Sequence, residues 1–315
     1  MTNLARSRAL VRLDGPGHIM PIEPVTPPGS KFWRVIHFPA MLAICALLLL
    51  AGAMQGSKLL LNLGAEHLPN MPGARYLVPL IITAAVMLAY LVFVRIVERR
   101  RDFEELGGAA WLSEAGLGVC GGVALYLAIF AVQAAAGVIS IQGFNISREV
   151  LPPIVAQVCT AICLELVLRG LFFRLAERLL GGWLALLASA AFFGGVVLLD
   201  GTTMTSALAA AFQSGLLFAA VYMVTRRLWA VIGLHAAIGI TLAQLYGPNG
   251  LVVSRVAGPY WLTGGAGGAD ASLPGLAITA LSIAGLLVVA IRRGRIVRPI
   301  WRSGRNAPTA PLSLG

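Results

Sequence analysis

Apolar runs long enough to cross a bilayer recur along this chain between residues 39 and 292, and nothing else in it restricts the fold as tightly. A spanning helix needs about 20 mostly apolar residues, because hydrocarbon offers no partner to a bare backbone N–H or C=O. Candidate spans fall at 39–61, 77–97, 115–139, 150–175, 183–200, 205–225, 228–246 and 274–292, each bounded by Gly, Pro or charge. The segment 183–200 is short and carries "LASAAFFGG", small residues that let helices approach closely, so it is expected inside the bundle. The reading is an all-α polytopic membrane helix bundle of about eight transmembrane helices. No period of about 20–50 residues recurs, which sets repeat arrays aside.

Composition agrees. Only 12% of the 315 residues are charged and 58% are hydrophobic, with a mean hydropathy of +0.84. A soluble domain carries about 25% charged residues. The net charge of +11 suggests nucleic acid at first sight, but the arginines lie in short runs between apolar segments rather than on one domain. The expected partner is therefore the lipid bilayer, with no nucleic acid. Eight spans place Arg6 to Arg34, Arg95 to Arg101, Arg174, Arg178, Arg226, Arg227 and Arg292 to Arg305 on one side. The other side holds Lys58, Arg75, Arg148 and Arg255. Positive charge favours the inside, so both termini are expected in the cytoplasm, with the chain in a bacterial cytoplasmic (inner) membrane.

The organisation follows from these spans. Residues 1–38 read as a flexible cytoplasmic N-terminal tail, Pro/Gly-rich and without the apolar stretch of a signal peptide. Residues 39–149 hold the N-terminal transmembrane helices, with "VERRRDFEELG" (97–107) as a cytoplasmic connector, and 150–246 form a core. Residues 247–273 read as a long external loop in which Pro259, Tyr260 and Trp261 rest at the interface. Residues 274–315 are the last helix and a basic tail. Cys45, Cys120, Cys159 and Cys163 all sit in apolar runs without CxxC spacing, as small apolar residues do.

Ionisable residues inside the spans are few. In "CTAICLELVLRGLFFRLAERLLG" (159–181), Glu165 and Arg169 stand near the middle of an apolar run. A lone charge in hydrocarbon costs about 2.5–3.5 kcal/mol on insertion scales. Their i, i+4 spacing puts both on one face, where they pair, so a structural clamp is one reading. A polar cavity is the other, because His235 is available from another span and Asp200 lies at a span end. Gln157, Gln213 and Gln244 extend a polar network in that reading. No H-E-x-x-H, G-x-S-x-G or phosphate loop is present. Glu165 with His235 is a poor metal site, since catalytic zinc takes three protein ligands. No complete zinc site is evident, and the cofactor and metal are left unassigned.

The runs "LELVLRGLFFRLAERLLGGWLALLASAAFFG" and "LFAAVYMVTRRLWAVIGLHAAIG" resemble the CPBP family of CAAX-protease and bacteriocin-processing intramembrane proteases, which includes the type II CAAX prenyl endopeptidases. The resemblance covers roughly 150–246 and extends weakly to "GGAGGADASLPG". It implies a lipidated or transmembrane peptide as substrate or ligand. The family pattern is E-E-x-x-x-R, F-x-x-x-H and H-x-x-x-N/D. The first Glu and first His are understood to activate a water, the second His and the Asn/Asp to steady the oxyanion, with a metal role disputed. Here the pattern keeps Glu165, Arg169 and His235 as its candidate catalytic residues, but puts Leu164 at the first Glu, Val197 four residues after Phe193, and Gly239 at the Asn/Asp.

Leu164 and Val197 accept no proton, Gly239 offers no side-chain donor, and adjacent helical positions point about 100° apart, so Glu165 does not simply replace Leu164. The loss of one oxyanion donor typically costs about 10²–10³ in rate. The expectation is a family member with weak or no proteolytic activity, a pseudoenzyme that binds peptide. An intramembrane protease with a rearranged site around Glu165 and His235, with Glu165 or Asp200 as base, is the alternative. A small transporter or membrane assembly partner is a second.

Overall fold

The structure, a computed structural model, describes residues 73–299 except 99, 101–102, 147–150, 200 and 248–249, together with Met41, Ile44 and Gly52. Among the described residues seven helices are long and apolar enough to cross a membrane: α1 Tyr76–Val97, α2 Trp111–Ala135, α3 Leu151–Leu180, α4 Gly182–Leu199, α5 Met204–Thr225, α6 Leu228–Tyr246 and α7 Leu273–Arg292. The protein is a polytopic all-α bundle. The expected span at 39–61 apart from Met41, Ile44 and Gly52, the N-terminal tail and the chain beyond 299 lie outside the described residues. Large apolar side chains such as Leu88, Leu117, Leu187 and Leu281 stand exposed on the spans, which is where lipid would cover them.

Two expectations need correction. α4, expected inside the bundle, leaves Trp183, Leu184, Leu187 and Leu199 exposed, as on a helix facing lipid. The span expected at 115–139 ends at Ala135, because Gly137 takes a left-handed φ of 74° that stops the helix. The apolar residues after it form a strand, β1 Ile139–Phe144, antiparallel to β2 Val252–Val256. Ile139 pairs with Val256 and Phe144 with Val252, with an irregularity between Ile141 and Gly143. The segment 247–273 thus contains β2. After β2 it makes one turn at Tyr260–Thr263 and two 3₁₀ turns at Gly265–Gly267 and Ala269–Ala271. Tyr260 and Trp261 are exposed there.

Successive helices run in alternate directions, which gives the bundle a basic end and an arginine-poor end. At the basic end, buried carboxylates lock the helices together. Arg174 Nη2 on α3 donates to both Glu98 oxygens at 2.8 and 2.7 Å, and Arg100 forks onto Glu105 at 2.8 Å for each arm. Tyr90 donates to the same Glu105 at 2.7 Å. Burial pushes the Glu105 carboxyl up, but the Arg100 hydrogen bonds and the charges of Arg174 and Arg100 outweigh it and hold the group down at about 2. Arg226, in the left-handed turn between α5 and α6, pairs with Glu177 and donates to the Arg295 carbonyl. The chain after α7 crosses this end as a strap, where the Val297 carbonyl accepts from Gly182 N–H at 2.9 Å.

α2 and α6 pack against each other over an extended crossing. It is made by glycines on both sides. A Cβ on Gly118 would stand 2.1 Å from the Ala230 carbonyl oxygen, and one on Gly233 would stand 2.2 Å from that of Ala115. Such backbone contact maximises dispersion where no hydrophobic effect drives helices together. It also fixes the position of α6, and so of His235.

Candidate active site in the bundle

Two helices lose their regular pitch at the same depth. α3 opens into a π-type turn at Leu168–Phe173 and α5 into another at Ala211–Leu217. Such turns are commonly found at functional sites. Glu165 and Arg169 lie on α3, fully buried at 0% side-chain exposure, with Arg169 Nη1 3.3 and 3.2 Å from the two Glu165 oxygens. Arg169 Nη2 donates to the Ser214 carbonyl in the widened turn of α5. Its guanidinium also lies over the Phe193 and Phe218 rings, 5.0 and 5.3 Å from their centroids. The cation is thus held by a carboxylate, a carbonyl and two aromatic faces, which compensates its place in the membrane interior.

His235 comes from α6. Its Nδ1 is 2.7 Å from Glu165 Oε1, and Phe218 stacks on its ring at 4.8 Å. An ionised carboxylate only accepts, so Nδ1 carries the proton and Nε2 is left as the acceptor available to the cavity. The His235 side chain is 15% exposed while Glu165 is closed off. The exposed part of His235 faces a cavity of about 400 Å³ also lined by Gln157, Gln213, Ser214, Gly239 and Tyr246. That volume is within the range of small-ligand sites.

Gly239 is glycine for a local reason. A Cβ there would meet Gln157 Nε2 at 2.1 Å, so the Gln157 amide of α3 occupies the space a side chain at 239 would fill. Gln213 donates to Tyr126 Oη at 2.6 Å and to Asp270 Oδ1 at 3.3 Å. Tyr246 donates to Gln133 Oε1 at 2.6 Å, and Gln133 donates in turn to the Leu262 carbonyl at 2.7 Å. Gln244 stands apart from the cavity and accepts from Leu251 N–H at 3.0 Å.

The structure thus brings Glu165, Arg169, His235, Gln157 and Gln213 together, and Asp200 lies outside the described residues. Val197 and Leu164 are not among the cavity's lining residues. Phe193 serves instead as a platform for Arg169. Cys159 and Cys163 are buried, whereas Cys120 is exposed on α2. Asp270 was missed by reasoning from spacing, although it is the one acidic residue after Asp200 in the chain.

Residues 145–241 match the family model described as Type II CAAX prenyl endopeptidase Rce1-like. That segment is similar to the family. The matched segment takes in Glu165, Arg169 and His235, and with them most of the cavity. No curated protein and no solved structure matches the chain.

A metal does not fit the residues of this site. Among the described residues no three His, Cys, Asp or Glu side chains converge as a metal site. Glu165 and His235 are spent on each other, and the Arg169 guanidinium beside the carboxylate repels a second cation. What the pair can do is orient an imidazole: the carboxylate fixes its tautomer and stabilises the imidazolium once a proton has been taken.

The Asp270 carboxyl is pushed up to about 7 by burial. In the unfolded chain its value returns to about 3.8. The folded state therefore holds more protons between those values, and stability falls as pH rises from about 4 to about 7, then levels off. Melting the detergent-solubilised protein across this range is expected to show that fall. Asp270→Asn is expected to remove it and to raise the melting temperature above neutrality. An unchanged pH profile in the variant would show that Asp270 is ionised in the folded protein.

Proposed function

We propose that this membrane protein binds an extended peptide segment in the cavity and hydrolyses it slowly, with His235 as general base. The observation that carries the reading is the 2.7 Å contact between His235 Nδ1 and a fully buried Glu165, which leaves Nε2 for a water in the cavity. His235 Nε2 takes a proton from that water as its oxygen bonds to the peptide carbonyl carbon. The carbonyl oxygen, now an oxyanion, takes a hydrogen bond from the Gln157 amide, which fills the place over Gly239. The C–N bond then breaks as the imidazolium returns its proton to the leaving nitrogen.

In this reading Glu165 orients the base and is not itself the base, because its Oε1 is bonded to His235, its charge faces Arg169 and it is closed to the cavity. Leu164 and Val197 leave the site without a second proton acceptor, so turnover is slow. The substrate is a lipidated or transmembrane peptide. The termini lie on the cytoplasmic side of a bacterial inner membrane, as the basic residues at that end of the bundle support.

Purified protein in lipid nanodiscs, incubated with prenylated and transmembrane peptides and read by mass spectrometry, tests the reading. Cleavage is expected, reduced by about 10²-fold or more in His235→Ala, the usual contribution of a general base. Glu165→Gln is expected to slow cleavage in a protein that still folds. Cleavage that survives His235→Ala would remove the imidazole from the mechanism. No cleavage alongside saturable peptide binding would leave a binding protein on a protease scaffold.

A further inference from the structure

The cavity has a direction. Its outer lining residues, Gln157, Ala243, Tyr246 and Gly247, lie near the arginine-poor ends of α3 and α6. At 1.5 Å per residue Gln157 is roughly 9 Å, and His235 roughly 16 Å, from those ends. The lining continues to Gly247, the cap of α6, so the cavity reaches the arginine-poor end of the bundle.

Toward the basic end the way is shut twice. Behind His235 stand Phe218 and the Glu165–Arg169 pair, with Leu171, Phe173 and Tyr222 all buried below them. Beyond that layer the ion pairs Glu98–Arg174, Glu105–Arg100 and Glu177–Arg226 tie the helix ends together. A chain coming from the basic end would have to part both layers. Parting these pairs would leave desolvated charges without their partners, which is strongly unfavourable.

We infer that the cavity admits its peptide from the arginine-poor, non-cytoplasmic face of the membrane. No Asp, Glu, Lys or Arg lines the cavity, so the fitting ligand is an extended segment with uncharged side chains. The ligand class is an exported or membrane-anchored peptide presented on the outer side, as opposed to a peptide modified and released in the cytoplasm. Exposed Phe144 at the end of β1 and Ile146 just beyond it, with exposed Leu251, Tyr260 and Trp261, give this face apolar side chains suited to a ligand held at the bilayer interface. The inference rests on the peptide-binding reading for the ligand class and on the charge asymmetry for the side.

Thiol labelling tests it without using activity. In the full chain with Cys45 and Cys120 replaced by Ala, Ala243→Cys places a thiol in the outer cavity, and Arg298→Cys places one at the basic end. Each is exposed to a membrane-impermeant maleimide in right-side-out and in inverted vesicles, with the parent as blank. Ala243→Cys is expected to label in right-side-out vesicles and to lose labelling in inverted ones, and Arg298→Cys the reverse. Labelling of both from the same side, or of Ala243→Cys from neither, would overturn the inference. Should Ala243→Cys not reach the membrane folded, Gln157→Cys reports on the same space. The nanodisc assay exposes both faces, so loss of cleavage there rejects hydrolysis and leaves the sidedness standing. Labelling from the wrong side does the converse.

Discussion

Arg169→Leu is expected to destabilise the folded protein by about 3–5 kcal/mol, the typical cost of leaving one member of a buried ion pair alone. The reason is the placement of Glu165. Its carboxylate is fully buried and faces only Arg169 and His235. With the guanidinium gone, the carboxylate loses its permanent counter-charge, the Ser214 carbonyl loses its donor, and Phe193 and Phe218 lose the cation between them. Thermal unfolding in detergent and the yield of monodisperse protein both report the loss. The double variant Glu165→Gln with Arg169→Met removes both charges and is expected to recover much of it, because the well-packed neutral pair avoids desolvation. A single Arg169→Leu variant that melts like the parent would mean the pair contributes nothing to the fold.

Gly118→Leu is expected to cost more than about 3 kcal/mol, above the usual range for overpacking. Ordinary overpacking is relieved by rotating side chains. Here the obstruction is the Ala230 carbonyl oxygen, 2.1 Å from the first added carbon, and a backbone oxygen moves only with its helix. α2 and α6 must separate, and His235 travels with α6. The protein is expected to lose both its folded yield and its peptide binding. Gly116→Leu, two residues away on the same helix with open space around it, is expected to do neither. Equal behaviour of the two variants would show that the crossing is looser than its geometry implies.

Most of the helical plan was legible because hydropathy is a local property. α6 spans the residues expected from the run between Arg227 and Gly247, α4 is offset by one residue at each end, and α7 begins one residue earlier than expected. β1 was not legible. "ISIQGF" continues the apolar run before it, and only Gly137 and a partner more than 100 residues away make it a strand. Non-local pairing leaves no signature in a short window.

The site divides in the same way. Glu165 and Arg169 declared themselves by their cost in an apolar run, and His235 by being an imidazole in another. The relation of Gln157 to Gly239 depends on how α3 and α6 cross, and the pattern of residues along either helix does not contain it. Asp270 sits in a Gly/Ala-rich loop that reads as filler until Gln213 is seen to reach it. Gly239 looked like a deletion of function when read as a lone position. In three dimensions it is the space into which a neighbouring helix delivers an amide.

The strap across the basic end sets an order on biosynthesis. Residues 294–299 leave the ribosome after every described helix, yet the Val297 carbonyl serves Gly182 and the Arg295 carbonyl serves Arg226. A nascent chain can insert all seven helices and still lack the acceptors that hold the α3–α4 and α5–α6 turns together. Until translation passes Pro299, that end of the bundle is the part a membrane protease or chaperone would find open.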